Sequence, residues 1–248
     1  MLRLNHVHLP VALLLVTVSA PGFATTFTDS TFNLSNYSQT TYSNNFAAAG
    51  ATATVSQNTS FGNPAPSQQL DIIWTVDTTF AYYDGLINNT FVYNPSTSGA
   101  ISSINFSQDK YVTFTDGVVA LSNISGSALL EQGGNFYLDT ITGPSLVKGT
   151  WQNISASGLT ASSFCLYSFT TNTQNCTQNP NFSATGGVID FGFRTGLGYT
   201  NALGTGSFDS YSDNLSYTVT PTPEPSNLLL FGTGLIGMVG AARRKFQR

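Results

Sequence analysis

The chain has 248 residues, of which 8% are charged, 41% are hydrophobic and 12% are aromatic, and its formal net charge is −4. Between Thr25 and Val219 stand eleven acids and three bases, a net of −8, so the basic residues at the two ends mask an acidic body. That balance argues against nucleic acid as a partner, because phosphate binding needs clustered Lys and Arg. The steady supply of Phe, Tyr, Ile and Val sets the body apart from disordered polar tracts.

Residues 1–24 read as a secretory signal peptide, with Arg3 in the positive segment, an apolar run over 9–18, and Gly22-Phe23-Ala24 as a small-x-small site that puts cleavage between Ala24 and Thr25. The body that follows, 25–219, is large enough for one β-sandwich core.

Its strands announce themselves by period-two alternation. Leu70, Ile72, Trp74 and Val76 fall on one face of a strand over 70–77, which makes Trp74 a core residue. The segment 110–115 alternates likewise; Asp116-Gly117 then offers a hairpin turn, with 118–121 as the return strand. Gly133-Gly134 predicts a turn into a strand over 135–139. Ile189, Phe191 and Phe193 share a face, as do Leu215, Tyr217 and Val219 in a last strand over 214–219. Clusters such as Gly62-Asn63-Pro64-Ala65-Pro66 and Asn94-Pro95-Ser96 mark turns. No stretch of the body sustains a helical period, so the expectation is an all-β, antiparallel sandwich. Cys165 and Cys176, in an exported chain and without a third ligand nearby, are expected to form a disulfide.

Histidine supplies the strongest exclusion. The two histidines, His6 and His8, both lie in the signal segment, which removes Ser-His-Asp and Cys-His catalysis and His-ligated metals from the body. Glycoside hydrolysis needs two carboxylates. Glu131 is the one Glu of the body, and Asp71 and Asp77, on the strand face opposite Trp74, would stand roughly 20 Å apart along an extended strand. The body is therefore expected not to be an enzyme, with an Asp-pair hydrolase as the outlying alternative. Asp209, Asp213 and Asn214 offer hard oxygens of the kind calcium takes, but the preferred reading is Asx-turn chemistry before a strand. Of the aromatics able to stack on sugars (Trp74, Tyr82, Tyr83, Tyr93 and Trp151), Tyr82-Tyr83-Asp84-Gly85 reads as an exposed loop and is the preferred ligand candidate. The Asn-x-Ser/Thr triplets follow from composition and are not read as glycosylation sites.

Pro221 to Pro225 read as a short stiff linker. The uncharged run 227–242 spans about 24 Å as a helix, short of a ~30 Å hydrocarbon core, so it is a membrane span of marginal length. Arg243, Arg244 and Lys245 follow as a stop-transfer signal and place the C-terminus in the cytoplasm. Thr233, Gly237 and Ala241 form a small-residue stripe on that helix.

Two resemblances add to this reading. The stretches over 27–34, 62–72 and 207–219 make the body resemble a concanavalin-like or laminin-G-like jelly roll. Pro223-Glu224-Pro225-Ser226, the glycine-dotted apolar run and Arg243-Arg244-Lys245 resemble the PEP-CTERM sorting signal of Gram-negative bacteria. That resemblance implies recognition of Pro223, Glu224 and Pro225 by an exosortase, cleavage near them, and a precursor held transiently in the inner membrane. The body would then be delivered to the cell surface or matrix, with exopolysaccharide as an associated partner. For the body two readings stand: a non-enzymatic surface or matrix component, and a lectin-like carbohydrate-binding module, with calcium as its one possible cofactor.

Overall fold

A computed structural model describes residues 23–115, 121–140, 146–199 and 204–223. The expected signal peptide, apart from Phe23 and Ala24, and the expected membrane helix lie outside these residues, as do Asp116-Gly117, Glu224, Pro225, Arg243, Arg244 and Lys245. Among the described residues no helix is long and apolar enough to cross a membrane.

Among the described residues, the unit Gly22–Thr222 carries thirteen strands. In chain order they are β1 (Thr25–Asp29), β2 (Tyr37–Asn44), β3 (Thr52–Asn58), β4 (Ser67–Trp74), β5 (Phe80–Tyr93), β6 (Ile101–Phe114), β7 (Leu121–Gln132), β8 (Asn135–Asp139), β9 (Gln152–Leu159), β10 (Phe164–Ser168), β11 (Thr173–Asn175), β12 (Ile189–Tyr199) and β13 (Gly206–Pro221). Sheet A runs β3-β4-β13-β6-β9, with β1 also paired to β13; sheet B runs β11-β10-β8-β7-β12-β5-β2. Every ladder is antiparallel. The all-β sandwich expected from the alternation is the fold observed.

The buried faces follow the alternation. Leu70, Ile72 and Trp74 are fully buried, as are Ile189, Phe191 and Phe193, and Leu215, Tyr217 and Val219. The aliphatic and phenylalanine side chains among them each contribute about 1.5–3 kcal/mol of apolar burial. Gly133 and Gly134, at φ 60° and 79°, turn β7 into β8 in the two-residue geometry that wants positive φ at both positions.

Three expectations need correction. Val76 does not continue the core face: β4 ends at Trp74 and Val76 is 48% exposed. No 110–121 hairpin forms either, since β6 pairs with β13 and β9 in sheet A whereas β7 pairs with β8 and β12 in sheet B. The chain crosses between sheets there. Finally, Pro221 is not linker. It is the last residue of β13, opposite Ile101, and the Thr222 N–H donates to the Ala100 carbonyl.

A polar belt divides the interior. Going along β5, buried Phe80 and Tyr82 give way to Asp84 and then to Leu86; along β12, Leu197 gives way to Thr195 and then Phe193. On the facing sheet, β6 runs from Val112 through Lys110 and Gln108 to Phe106, and β13 from Phe208 through Ser210 and Ser212 to Leu215. The apolar residues on either side form two separate clusters. Lys110 crosses the belt, its Nζ donating to Thr195 Oγ1 at 2.5 Å and Ser212 Oγ at 2.9 Å.

Candidate functional site

The residues that alternate away from the core of sheet A build a face of rings and carboxylates. β6 carries Asp109 and Tyr111 outward, between buried Gln108, Lys110 and Val112; β13 carries Asp209 and Tyr211 between Phe208, Ser210 and Ser212. Antiparallel register sets Tyr111 opposite Tyr211 and Asp109 opposite Asp213. It also sets Asp71 of β4 opposite Asp209. Trp151 enters from the residue before β9, and Phe61 from the loop between β3 and β4.

Phe61 and Tyr111 each touch the other three rings. Phe61 stands 4.6 Å from Tyr211 and 5.0 Å from Tyr111, edge to face, and stacks on Trp151 at 5.7 Å. Tyr111 lies 5.5 Å from Trp151 and 5.8 Å from Tyr211. All four remain partly exposed. Such contacts fix ring orientation, so the face presents an aromatic surface that is already formed.

The Phe61 loop is held by side chains. Asn58 Oδ1 accepts from the N–H groups of Ser60 and Phe61, and Ser67 Oγ donates to the Phe61 carbonyl. Gly62 is required by crowding: a Cβ there would lie 2.6 Å from Ala65 Cα. Beyond the rings, Asp213 accepts from the N–H groups of Asn63 and Asn214. Asp109 accepts side-chain amides from Asn153, Asn214 and Asn63 at 2.8, 2.9 and 3.2 Å. This pair of carboxylates fastens the loop to the sheet.

At the other end of the face the carboxylates are less engaged. Asp209 Oδ1 accepts from Gln69 Nε2 at 2.9 Å. Burial, and then the charge of Asp209, push the Asp71 carboxyl above its ordinary range. Burial, with Asp209, Asp71 and Tyr111 beside it, raises the Tyr211 phenol as well.

The residues expected to form sites are distributed differently. Tyr82-Tyr83-Asp84-Gly85 is not a loop but the interior of β5: Tyr82 and Tyr83 are 8% and 3% exposed and Asp84 is fully buried. Tyr83 lies under the Arg194 guanidinium at 4.7 Å. Trp74 is core as expected, and Tyr93 is buried with its hydroxyl on the Ser98 and Gly99 carbonyls. Asp209 and Asp213, the calcium alternative to an Asx turn, stand four residues apart on one strand rather than in a loop, roughly 13 Å at an extended rise. Among the described residues no three acidic, His or Cys side chains converge as a metal-holding group. Cys165 and Cys176 form the disulfide. Thr25, after the expected cleavage at Ala24, is the first residue of β1 and pairs with Val219, close before Pro223.

Of the ring quartet, the sequence reading included Trp151 alone. Tyr111, Tyr211 and Phe61 were missed, although a signal existed: acid-x-tyrosine occurs at Asp109-x-Tyr111 and again at Asp209-x-Tyr211.

Comparison with solved structures gives low overlaps. A family 11 carbohydrate-binding module from Clostridium thermocellum, in complex with a beta-1,3-1,4-mixed-linked tetrasaccharide, is 14% identical with a TM-score of 0.38 over 84% of this chain and 99% of that one. The solution structure of CtCBM11 gives 16% and 0.41 over 84% and 100%. The CBM22-1 xylan-binding domain of Paenibacillus barcinonensis Xyn10C gives 9% and 0.33 over 84% and 99%. At these overlaps none of them carries an argument about this body. A comparison with curated proteins found no match. The C-terminal segment is different: residues 221–245 match the family model of the PEP-CTERM protein-sorting motif, a match that begins at Pro221, the last residue of β13.

Proposed function

We propose that this chain is an exosortase-sorted, non-enzymatic surface or matrix protein that holds polysaccharide on the outer face of sheet A. The sorting half is supported by the motif at 221–245. In this reading Pro223, Glu224 and Pro225 are what the sorting protease recognises, Arg243, Arg244 and Lys245 stop translocation, and the signal peptide is removed between Ala24 and Thr25.

The observation that carries the binding half is the quartet Phe61, Tyr111, Trp151 and Tyr211, four partly exposed rings joined through Phe61 and Tyr111 and bordered by carboxylates. A pyranose ring offers an apolar C–H face that packs on aromatics, and hydroxyls that donate to carboxylates. An open face built across β4, β13 and β6 suits a polymer better than an enclosed small molecule.

Affinity electrophoresis of the exported protein through gels containing different polysaccharides tests this. Retardation by at least one polymer, lost in Trp151→Ala with the fold intact by circular dichroism, is expected. No retardation by any polymer, or equal retardation of the variant, would remove the binding half and leave the sorting half standing.

A further inference from the structure

The ring face has a one-signed charge pattern, and its other carboxylate pair is already engaged. Asp109 and Asp213 hold the amides of Asn63, Asn153 and Asn214, which leaves Asp71 and Asp209 as the pair open to a ligand. They stand directly opposite on neighbouring strands, next to Tyr211. Like charges in that position repel, and a neighbouring cation would relieve them.

The body's own cations are placed elsewhere. Between Thr25 and Val219 the bases are Lys110, Lys148 and Arg194. Lys110 is buried between the sheets on Thr195 and Ser212. Lys148 lies 4.8 Å over Phe114, whose cross-strand partner Phe208 is core. Arg194 lies over Tyr83 and Tyr167 of sheet B. An ammonium carried by a ligand would complement Asp71 and Asp209.

Building on the polysaccharide reading, we infer that the face takes a cationic amino-sugar polymer, the de-N-acetylated class, in preference to neutral or uronate polymers. Each residue of such a polymer brings both groups that the face lacks. Its ammonium makes charge-assisted hydrogen bonds to Asp71 and Asp209 and is attracted to the tyrosine and tryptophan faces, while the sugar ring packs on the quartet. N-acetylation removes the charge, and a uronate reverses it, so both lose the electrostatic half of the contact.

The test is isothermal titration of the exported protein, at low ionic strength and mildly acidic pH, with three oligomers of equal length: glucosamine, N-acetylglucosamine and a uronate. The glucosamine oligomer is expected to bind at least about tenfold tighter than the acetylated one, with an affinity that falls as salt is added. The double variant Asp71→Asn/Asp209→Asn is expected to abolish that preference. Asp190 and Glu131 face each other on sheet B in the same way, so Asp190→Asn/Glu131→Gln removes equal charge away from the rings and is expected to leave the preference unchanged. Equal affinity for the charged and acetylated oligomers would overturn the inference while leaving polysaccharide binding in place. Equal loss in the two double variants would also overturn it, as attraction to the body's bulk charge. If polymers of every class fail to bind, the polysaccharide reading falls and takes the inference with it.

Discussion

Asp71 and Asp209 are cross-strand partners on the outer face of sheet A, two carboxylates side by side, with the Asp71 carboxyl raised by burial and by its neighbour. A folded-state pKa above the unfolded value means that the native state holds the proton more tightly. The contribution to stability is full at pH below the ordinary carboxylate pKa and is lost as pH rises through the raised one. At neutral pH the pair therefore destabilises the sheet. Asp71→Asn is expected to stabilise the protein there by a few tenths to about 1 kcal/mol, with less effect in acid. Urea unfolding at both pH values checks this; a loss of stability at neutral pH would contradict it.

Asp109 ties three asparagine side chains together, one of them on the loop that carries Phe61. Asp109→Ala is expected to cost about 1–3 kcal/mol and to release Phe61 from its stack on Trp151. Trp74 is fully buried, so a red shift in tryptophan emission under native conditions reports on Trp151. Unchanged emission would mean that Asp109 does not hold the loop.

The polar belt predicts an unusual pH profile. Burial pushes Asp84 up to about 7, partly offset by its hydrogen bond from Gln39 and by Lys110. Burial lowers Lys110 to about 7, partly offset by Asp84. Asp84 contributes stability that is full below the ordinary value of 3.8 and is lost as pH rises to about 7. Lys110 contributes stability that is full above 10.5 and is lost as pH falls to about 7. Together they place a minimum near neutrality. Asp84→Asn should shrink the acid limb, which buried Asp139, also pushed up to about 7, continues to supply, and Lys110→Met should remove the alkaline limb, read by urea midpoints across pH. An alkaline limb that persists in Lys110→Met would show that other groups produce it.

Processing has its own readout. Intact mass of the protein recovered from its native host should show loss of residues 1–24 and of the segment beyond Pro225. Because β13 runs to Pro221 and Thr222 is still hydrogen-bonded to Ala100, cleavage at the motif leaves the last strand whole. A mature chain that still ends at Arg248 would contradict processing and leave a plain anchor.

The sandwich was legible wherever a strand alternates between oil and water. Ile189, Phe191 and Phe193, or Leu215, Tyr217 and Val219, report their own burial because one side faces solvent. Tyr82-Tyr83-Asp84-Gly85 misled because an acid beside glycine looks like a loop. It is a strand because Asp84 enters a belt whose other members lie on β6, β12 and β13, and no local pattern shows those partners. The ring face was hidden for the same reason. Tyr111 and Tyr211 meet through a register between strands a hundred positions apart, and Asp71 meets Asp209 across a similar span. Each acid-x-tyrosine step is visible in the sequence, but the pairing that turns two of them into one surface is set by the fold.

The most direct measurement is a tryptophan-emission titration of the exported protein with the polysaccharide that retards it most. Trp151 is the one tryptophan on the face and Trp74 is enclosed. Polysaccharide binding predicts a saturable blue shift that disappears in Trp151→Phe. A shift that survives in that variant, or no saturable shift in the presence of a polymer shown to bind, would contradict the placement of the site on the outer face of sheet A.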